Sequence, residues 1–439
     1  MTYPIAQWPF LAPEERTPEE SERWWTACYL PPPADITLRG VSRSVIVSGQ
    51  PGSGKTTLLK AFERDEAKRY LMVRYPVPRW PGEEHAWVKG YGHLGQIMAC
   101  ASMAVKKFLT AHPDKLTPLS KINREYLRWL IEKHSGRRAV QRWADALNFQ
   151  PLLAMLEHPF DDIYPTDSEL QDVQGQIEEL VTLSRRLGFE GGLAILVDVD
   201  NVEAANEVVL AKMKDLFGWL TPLQFEGFAI KAAIPEKAIE KANLVYKSRG
   251  RVSFASLRWA AELCYELGNR HLQAATNQQL TALVEIASKE LLTTLEDEFQ
   301  TVYGAPSPQV LSWLTKTLLD GYAKRTKKLT KNNFNELIRI YFANYVPLRF
   351  DRTRRGVWQG ALFTPLDDQP FSFFEVLWQN KNVGDANQAL FKIAGSQGNL
   401  NTIASRLRKK IEPVPKQPIY VCNTRSQGYW LENVVDVDI

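Results

Sequence analysis

With 439 residues the chain has room for roughly two to four domains, and its 44% hydrophobic and 24% charged residues exclude disordered, collagen-like and coiled-coil proteins. No run approaches the ~18–20 uninterrupted apolar residues of a membrane helix, and the opening MTYPIAQWPFLAPEE lacks the basic start and apolar run of a signal peptide, so a soluble, cytoplasmic protein without a membrane partner is expected. The net charge of +4, from 54 basic and 50 acidic residues, informs only through its distribution.

Residues 1–40, rich in aromatics and proline, read as a leader that packs onto the first domain. Ser44–Ser48 (SVIVS) is a short β-branched run of the kind found in buried parallel strands. A Gly-rich turn follows, then a helical pattern, and LMVRYPV (71–77) is the next expected strand. From about Gly92 to Leu187 the periodicity is mostly helical. LAILVDVD (193–200) and FAIKAAI (228–234) are further strands, and strands alternating with helices predict a parallel α/β sheet. Beyond Gly250 the segments 254–272, 276–301, 307–322 and 331–344 read as a helical bundle. The last ~75 residues mix helices with a terminal pair of short strands, IYVCNT and GYWLEN. The expected division is a P-loop domain with a helical insertion at 1–250, a helical lid at 251–360 and a third domain at 361–439. Cys28, Cys100, Cys264 and Cys422 show no C-x-x-C spacing and the six histidines no H-E-x-x-H, which argues against a disulfide framework or a zinc site.

Gly49-Gln50-Pro51-Gly52-Ser53-Gly54-Lys55-Thr56 fits G-x-x-x-x-G-K-[ST] at every fixed position, with Thr57 following. Glycines let such a loop wrap a polyphosphate and present backbone N–H groups as donors. Lys55 is expected to reach the β- and γ-phosphates of ATP, Thr56 to place its hydroxyl on Mg²⁺, and the following helix to offer its positive end. The partner element is an apolar strand ending in an acidic residue; LAILVDVDN supplies it, with Asp198 as the second magnesium ligand. The residue after this aspartate is commonly a glutamate where hydrolysis is fast, but here it is Val199. Asp200 lies two residues on, where strand alternation points it the same way as Asp198. Slow hydrolysis is therefore expected, with Lys55, Asp198 and Asp200 as the catalytic set.

On these motifs the first ~350 residues resemble a STAND-type or origin-recognition-like ATPase of the AAA+ superfamily. IKAAIPEK, SLRWAAELCYELGNRHL and Gly304-Ala305-Pro306 add to the likeness. The resemblance implies that Pro306 lies beside the base or ribose and that an arginine contacts the γ-phosphate. Arg249, Arg251, Arg258 and Arg270 are candidates, with Arg270 preferred because a lid arginine often occupies that place in the resembling families. About 140 residues separate Lys55 from Asp198, which predicts a helical insertion.

FSFFEVLWQNKN, NQALFKIAGS and NLNTIASRLRKKIEPVPKQPIYVCNTRSQGYWLEN (~365–433) resemble the winged-helix output domain of OmpR/PhoB-type regulators. Ile403, Leu407 and Ile411 fall on one helical face, which leaves Arg406, Lys409 and Lys410 outside with Arg408 flanking. These four, with Arg425 in the hairpin turn, form the expected interface with double-stranded DNA. The alternative is a structural clamp, because residues 365–439 hold 8 basic and 8 acidic side chains. Residues 310–364, by contrast, hold 11 basic and 3 acidic.

The reading that follows is an α/β, three-layer P-loop NTPase domain with a helical lid and a C-terminal winged helix. It would act as an ATP-binding, slowly hydrolysing regulatory switch that responds to ATP against ADP. It lacks a recognisable effector motif, so a separately encoded protein partner is expected, and self-assembly into a homo-oligomer belongs to the same reading. Two alternatives stand beside it: a DNA-bound AAA+ loader or transposition-type regulator, and a non-hydrolysing ATP-binding adaptor in a bacterial defence complex.

Overall fold

A computed structural model describes residues 5–40, 43–82, 91–147, 173–200, 203–219, 223–304, 307–325, 327–380, 387–424 and 428–436. By internal contacts the chain forms two compact units, Pro31–Arg258 and Met1–Leu30 with Trp259–Ile439.

The first unit is built on a five-stranded sheet: β1 (Val45–Gly49), β2 (Tyr70–Arg74), β3 (Gly192–Asp198), β4 (Phe228–Pro235) and β5 (Ser253–Ser256). Their spatial order is β2-β3-β4-β1-β5 and every pair is parallel. Strand alternation sends two sets of apolar side chains to opposite faces. Ile46, Leu193, Ile195, Val197, Ile230 and Ala232 join a core with Leu94, Ile97, Leu130 and Met213. Val45, Val47, Ala194, Leu196 and Ala233 pack instead with Leu38, Leu58, Leu59 and Phe62. Helices cover both faces, giving the three-layer α/β P-loop architecture. The helical stretch between β2 and β3 comprises Tyr91–Ala111, Lys121–Ser135, Arg137–Leu147 and Val173–Arg186 among the described residues.

β5 departs from expectation, because residues 254–272 read as one helix. The segment SFAS pairs with β1, Val45 opposite Ser253 and Val47 opposite Ala255, and the helix begins only at Ala261. Four residues carry too little local preference to compete with pairing to a central strand.

In the second unit the leader up to Leu30 packs on the helix Ala261–Ala275, through a cluster of Trp8, Cys28 and Ala274 and a bond from Ala6 N to Ala275 O of 2.9 Å; only its last part, with Ala34 and Leu38, joins the P-loop unit to which the sequence assigned the whole leader. Helices Lys289–Tyr303, Pro308–Arg325 and Phe334–Tyr345 follow. Residues 348–365, expected to end a helical lid, instead form a meander: β6 (Leu348–Asp351), β7 (Gly356–Gln359) and β8 (Leu362–Pro365). Leu348 and Phe350 point inward and Arg349 outward, a period of two that the surrounding arginines obscure.

Helices Asp368–Gln379, Asn387–Ala394 and Gln397–Ile411 come next, then the hairpin of β9 (Val421–Thr424) and β10 (Gly428–Leu431), an order of three helices and a wing. The last strand, β11 (Val434–Asp436), returns to pair in parallel with β6. Buried Tyr420 donates to Val346 O at 2.6 Å, and Gln359 Nε2 donates to Ile411 O at 2.8 Å, so meander and helices share one core. Among the described residues no helix is long and apolar enough to cross a membrane.

Two expectations test this fold. Gly192 sits at φ +83°, and a Cβ there would stand 2.3 Å from Gly227 O, so Gly192→Ala should cost about 2–3 kcal/mol in urea unfolding. His93 and His271 are buried, and burial pushes both down to about 4. Above the ordinary histidine pKa neither state is protonated; below it the unfolded chain takes up protons that the folded chain refuses. Stability should therefore fall as pH drops from about 6.5 towards 4, and His93→Gln should flatten that slope in unfolding curves taken across the interval.

Candidate nucleotide-binding site

β1 runs into the glycine loop at the carboxyl edge of the sheet, and the helix Lys55–Asp65 leaves it. Two loop glycines take the left-handed conformation, Gly52 at φ +74° and Gly54 at φ +89°. A Cβ on Gly49 would meet Ser53 Oγ at 2.6 Å and Leu257 at 3.2 Å. The motif is thus enforced twice, by backbone conformation and by close approach. Pro51 is exposed, Ser53 buried, and Thr57 half-buried on the first turn of the helix.

Lys55 Nζ is folded onto the loop and donates to Gly49 O at 3.0 Å and Gln50 O at 2.9 Å. Burial lowers its pKa, opposed by the negative charge of Asp198. Asp198 ends β3 and accepts a hydrogen bond from the side chain of Thr56. Burial raises its pKa and Asp200 adds to the rise, while Thr56, Lys60 and Lys55 pull it down. One ammonium, one hydroxyl and one carboxylate thus converge at the loop, an oxygen donor pair suited to a hard divalent cation beside a polyphosphate cradle.

Val199 is fully buried in the core, and its N donates to Ala233 O at 3.0 Å. Since β3 ends at Asp198, strand alternation no longer governs Asp200. That residue is exposed and its Oδ1 accepts from Glu203 N at 2.8 Å, while Glu203 Oε2 accepts from Asp200 N at 3.2 Å. Glu203 escaped the sequence reading. It is half-buried, and burial followed by the charges of Asp200 and Asp198 holds its pKa above the usual range, against the bond from the Asp200 amide. The D-x-x-E spacing of a capping box was the available signal.

Of the candidate arginines, Arg258 lies just past β5 in the P-loop unit, 3.9 Å from Glu236 and largely exposed. Arg249 and Arg251 are in the same unit, where Arg251 Nη1 donates to Arg249 O at 3.4 Å. Arg270 belongs to the other unit. There its Nε donates to Glu266 at 2.9 Å and its Nη1 to Tyr29 O at 2.8 Å, tying the leader to the helix that carries it. Pro306 and Arg425 lie outside the described residues.

On the helix Gln397–Ile411 the expected basic face divides. Arg406 and Lys409 are exposed. Arg408 instead reaches the wing, donating to Val421 O at 2.8 Å and Asn423 Oδ1 at 2.9 Å, and Lys410 pairs with Asp367 at 2.7 Å.

No family model matches the chain, and no curated protein matches it. Among solved structures, the crystal structure of Cdc6p from Pyrobaculum aerophilum is similar at 13% sequence identity and a TM-score of 0.36, over 98% of this chain and 95% of that one.

Because position 199 faces the core, a glutamate there cannot reach a water at the loop. Val199→Glu should lower stability by about 3 kcal/mol or more, read as a drop in melting temperature, and leave ATP turnover no faster than in the unmodified protein.

Proposed function

We propose that this chain is an ATP-binding regulatory switch with slow hydrolysis, in the manner of STAND-type ATPases. The observation that carries the reading is the loop Gly49–Thr56 at the sheet edge, its two left-handed glycines and Lys55 beside the Thr56–Asp198 pair. Lys55, now on the carbonyls of Gly49 and Gln50, would turn to the phosphates of a bound nucleotide, and Thr56 and Asp198 would hold the magnesium ion. When bound, the ion and triphosphate supply a neutralised, activated phosphoryl group. Asp200 and Glu203 are the carboxylates left to orient a water, and each is partly committed to capping the other, which supports slow turnover.

Arg270 and Pro306 are the proposed contacts from the lid, and the winged helix is the output. Arg406, Lys409 and Arg425 are the side chains to meet double-stranded DNA, whereas Arg408 serves the wing. The helices from Ala261 to Tyr345 as the lid and the winged helix after them are its working parts, with a separately encoded partner and nucleotide-dependent self-assembly completing the switch.

Labelled ATP should bind the unmodified protein and fail to bind Lys55→Ala; equal affinity in the two removes the loop from the site. Nucleotide-dependent change in mass with slow turnover supports the switch. Turnover strongly stimulated by duplex DNA identifies a loader instead.

A further inference from the structure

The four-stranded sheet β11-β6-β7-β8 has one face in the core and one outside. Val434, Leu348, Phe350 and Val357 are buried on the inner face. On the outer face the register brings four side chains into one row across all strands. Val435 lies opposite Arg349, Arg349 opposite Trp358, and Trp358 opposite Phe363. Val435 is 42% exposed, Arg349 is exposed, and both rings are half-buried.

The row is held in place by specific contacts. Trp358 and Phe363 meet at 5.0 Å between ring centroids. The indole Nε1 donates to Asp351 Oδ2 at 3.1 Å, while Asp351 Oδ1 accepts from Arg354 N at 2.9 Å. Asp351 is therefore turned into the hairpin, and one carboxylate fixes both the indole edge and the β6–β7 turn. Phe363 lies over Gly356, where any Cβ would strike its ring at 2.5 Å. Arg349 Nη2 donates to Gly360 O at 2.7 Å, which orients that guanidinium along the face.

Around the rings arginines outnumber carboxylates. Arg354 stands exposed on the turn with its guanidinium 5.6 Å from the Trp358 ring, whereas Arg352 turns to the other side, 5.9 Å from the ring of inner-face Phe350. Arg355 is spent locally, on Asp368 at 2.6 Å and over the Phe371 ring. Asp351 answers Arg354 at 3.9 Å, which leaves Arg349 in excess on this face.

We propose that this outer face binds single-stranded nucleic acid. Adjacent strands stand about 4.8 Å apart, so Trp358 and Phe363 form one continuous aromatic surface for a base to stack on, with Arg349 and Arg354 placed for the phosphates. The chemistry fits a flexible polyanion with flat apolar groups along its length. An acidic peptide satisfies the arginines and leaves the rings uncovered, and a duplex hides its base faces. The site is separate from the helix Gln397–Ile411 and its wing, and does not depend on nucleotide at the P-loop.

The test uses the full chain and a fluorescent oligodeoxythymidine of roughly 16 nucleotides, followed by anisotropy across a salt series. Phe363→Leu should weaken binding about tenfold, the loss of one stacked base. The exposed outer-face pair Arg349→Gln with Arg354→Gln should lower the salt slope by about 1.4. Lys55→Ala should bind the oligonucleotide as the unmodified protein does, which separates this site from the nucleotide reading. An unmodified protein with no salt-sensitive single-strand binding, or with binding only to duplex, overturns the proposal. So does an arginine double variant of normal melting temperature whose affinity and slope are unchanged.

Discussion

A parallel sheet covered on both faces can place polar chemistry only at its strand ends. That constraint organises the first unit. The interior positions of β1, β3 and β4 are apolar and buried, so Gly49, Asp198 and the segment after Pro235 are pushed to one carboxyl edge, where loop and carboxylate meet. Lys231 breaks the pattern inside β4 and shows its cost. Its ammonium is buried against Phe62 and satisfied by Leu38 O and Arg43 O, both at 3.0 Å, and burial pulls its pKa down to about 8. The buried cation pins the segment leading into β1 and keeps the central strand in place.

How much of this was legible in the chain depended on whether residue identity or pairing decided the local structure. The glycine loop was legible because only glycine adopts the φ of positions 52 and 54 without strain, and β3 because seven continuous residues announce a buried strand. β5 and β6 to β8 were not. Each is four residues long, and each owes its conformation to a partner rather than to its own propensity. Asp200 was placed by extending a strand that in fact stops at Asp198, so the turn that joins it to Glu203 went unseen.

Counting charges likewise overstated the outward face of the helix Gln397–Ile411. Two of its four cations are fastened within the module, and Glu412 accepts from Ile419 N, Tyr420 N and Val421 N to hold the wing against the helix end. Such bonds to a carboxylate are among the stronger ones available. Only Arg406 and Lys409 remain displayed on the helix where the sequence shows a continuous basic stripe.

The leader and the helix Ala261–Ala275 are neighbours, yet the whole of Pro31–Arg258 stands between them in sequence. Within that intervening unit the helix Ala34–Gly40 packs against β5, so its two ends emerge side by side. Folding of the P-loop unit therefore shortens the loop that the leader must close from hundreds of residues to a few tens, a difference worth about 2 kcal/mol of chain entropy. Anything that steadies the P-loop unit tightens the docking of the leader, and anything that loosens it lets the leader go. The two are coupled through the connectivity of the chain, and no contact has to carry the message.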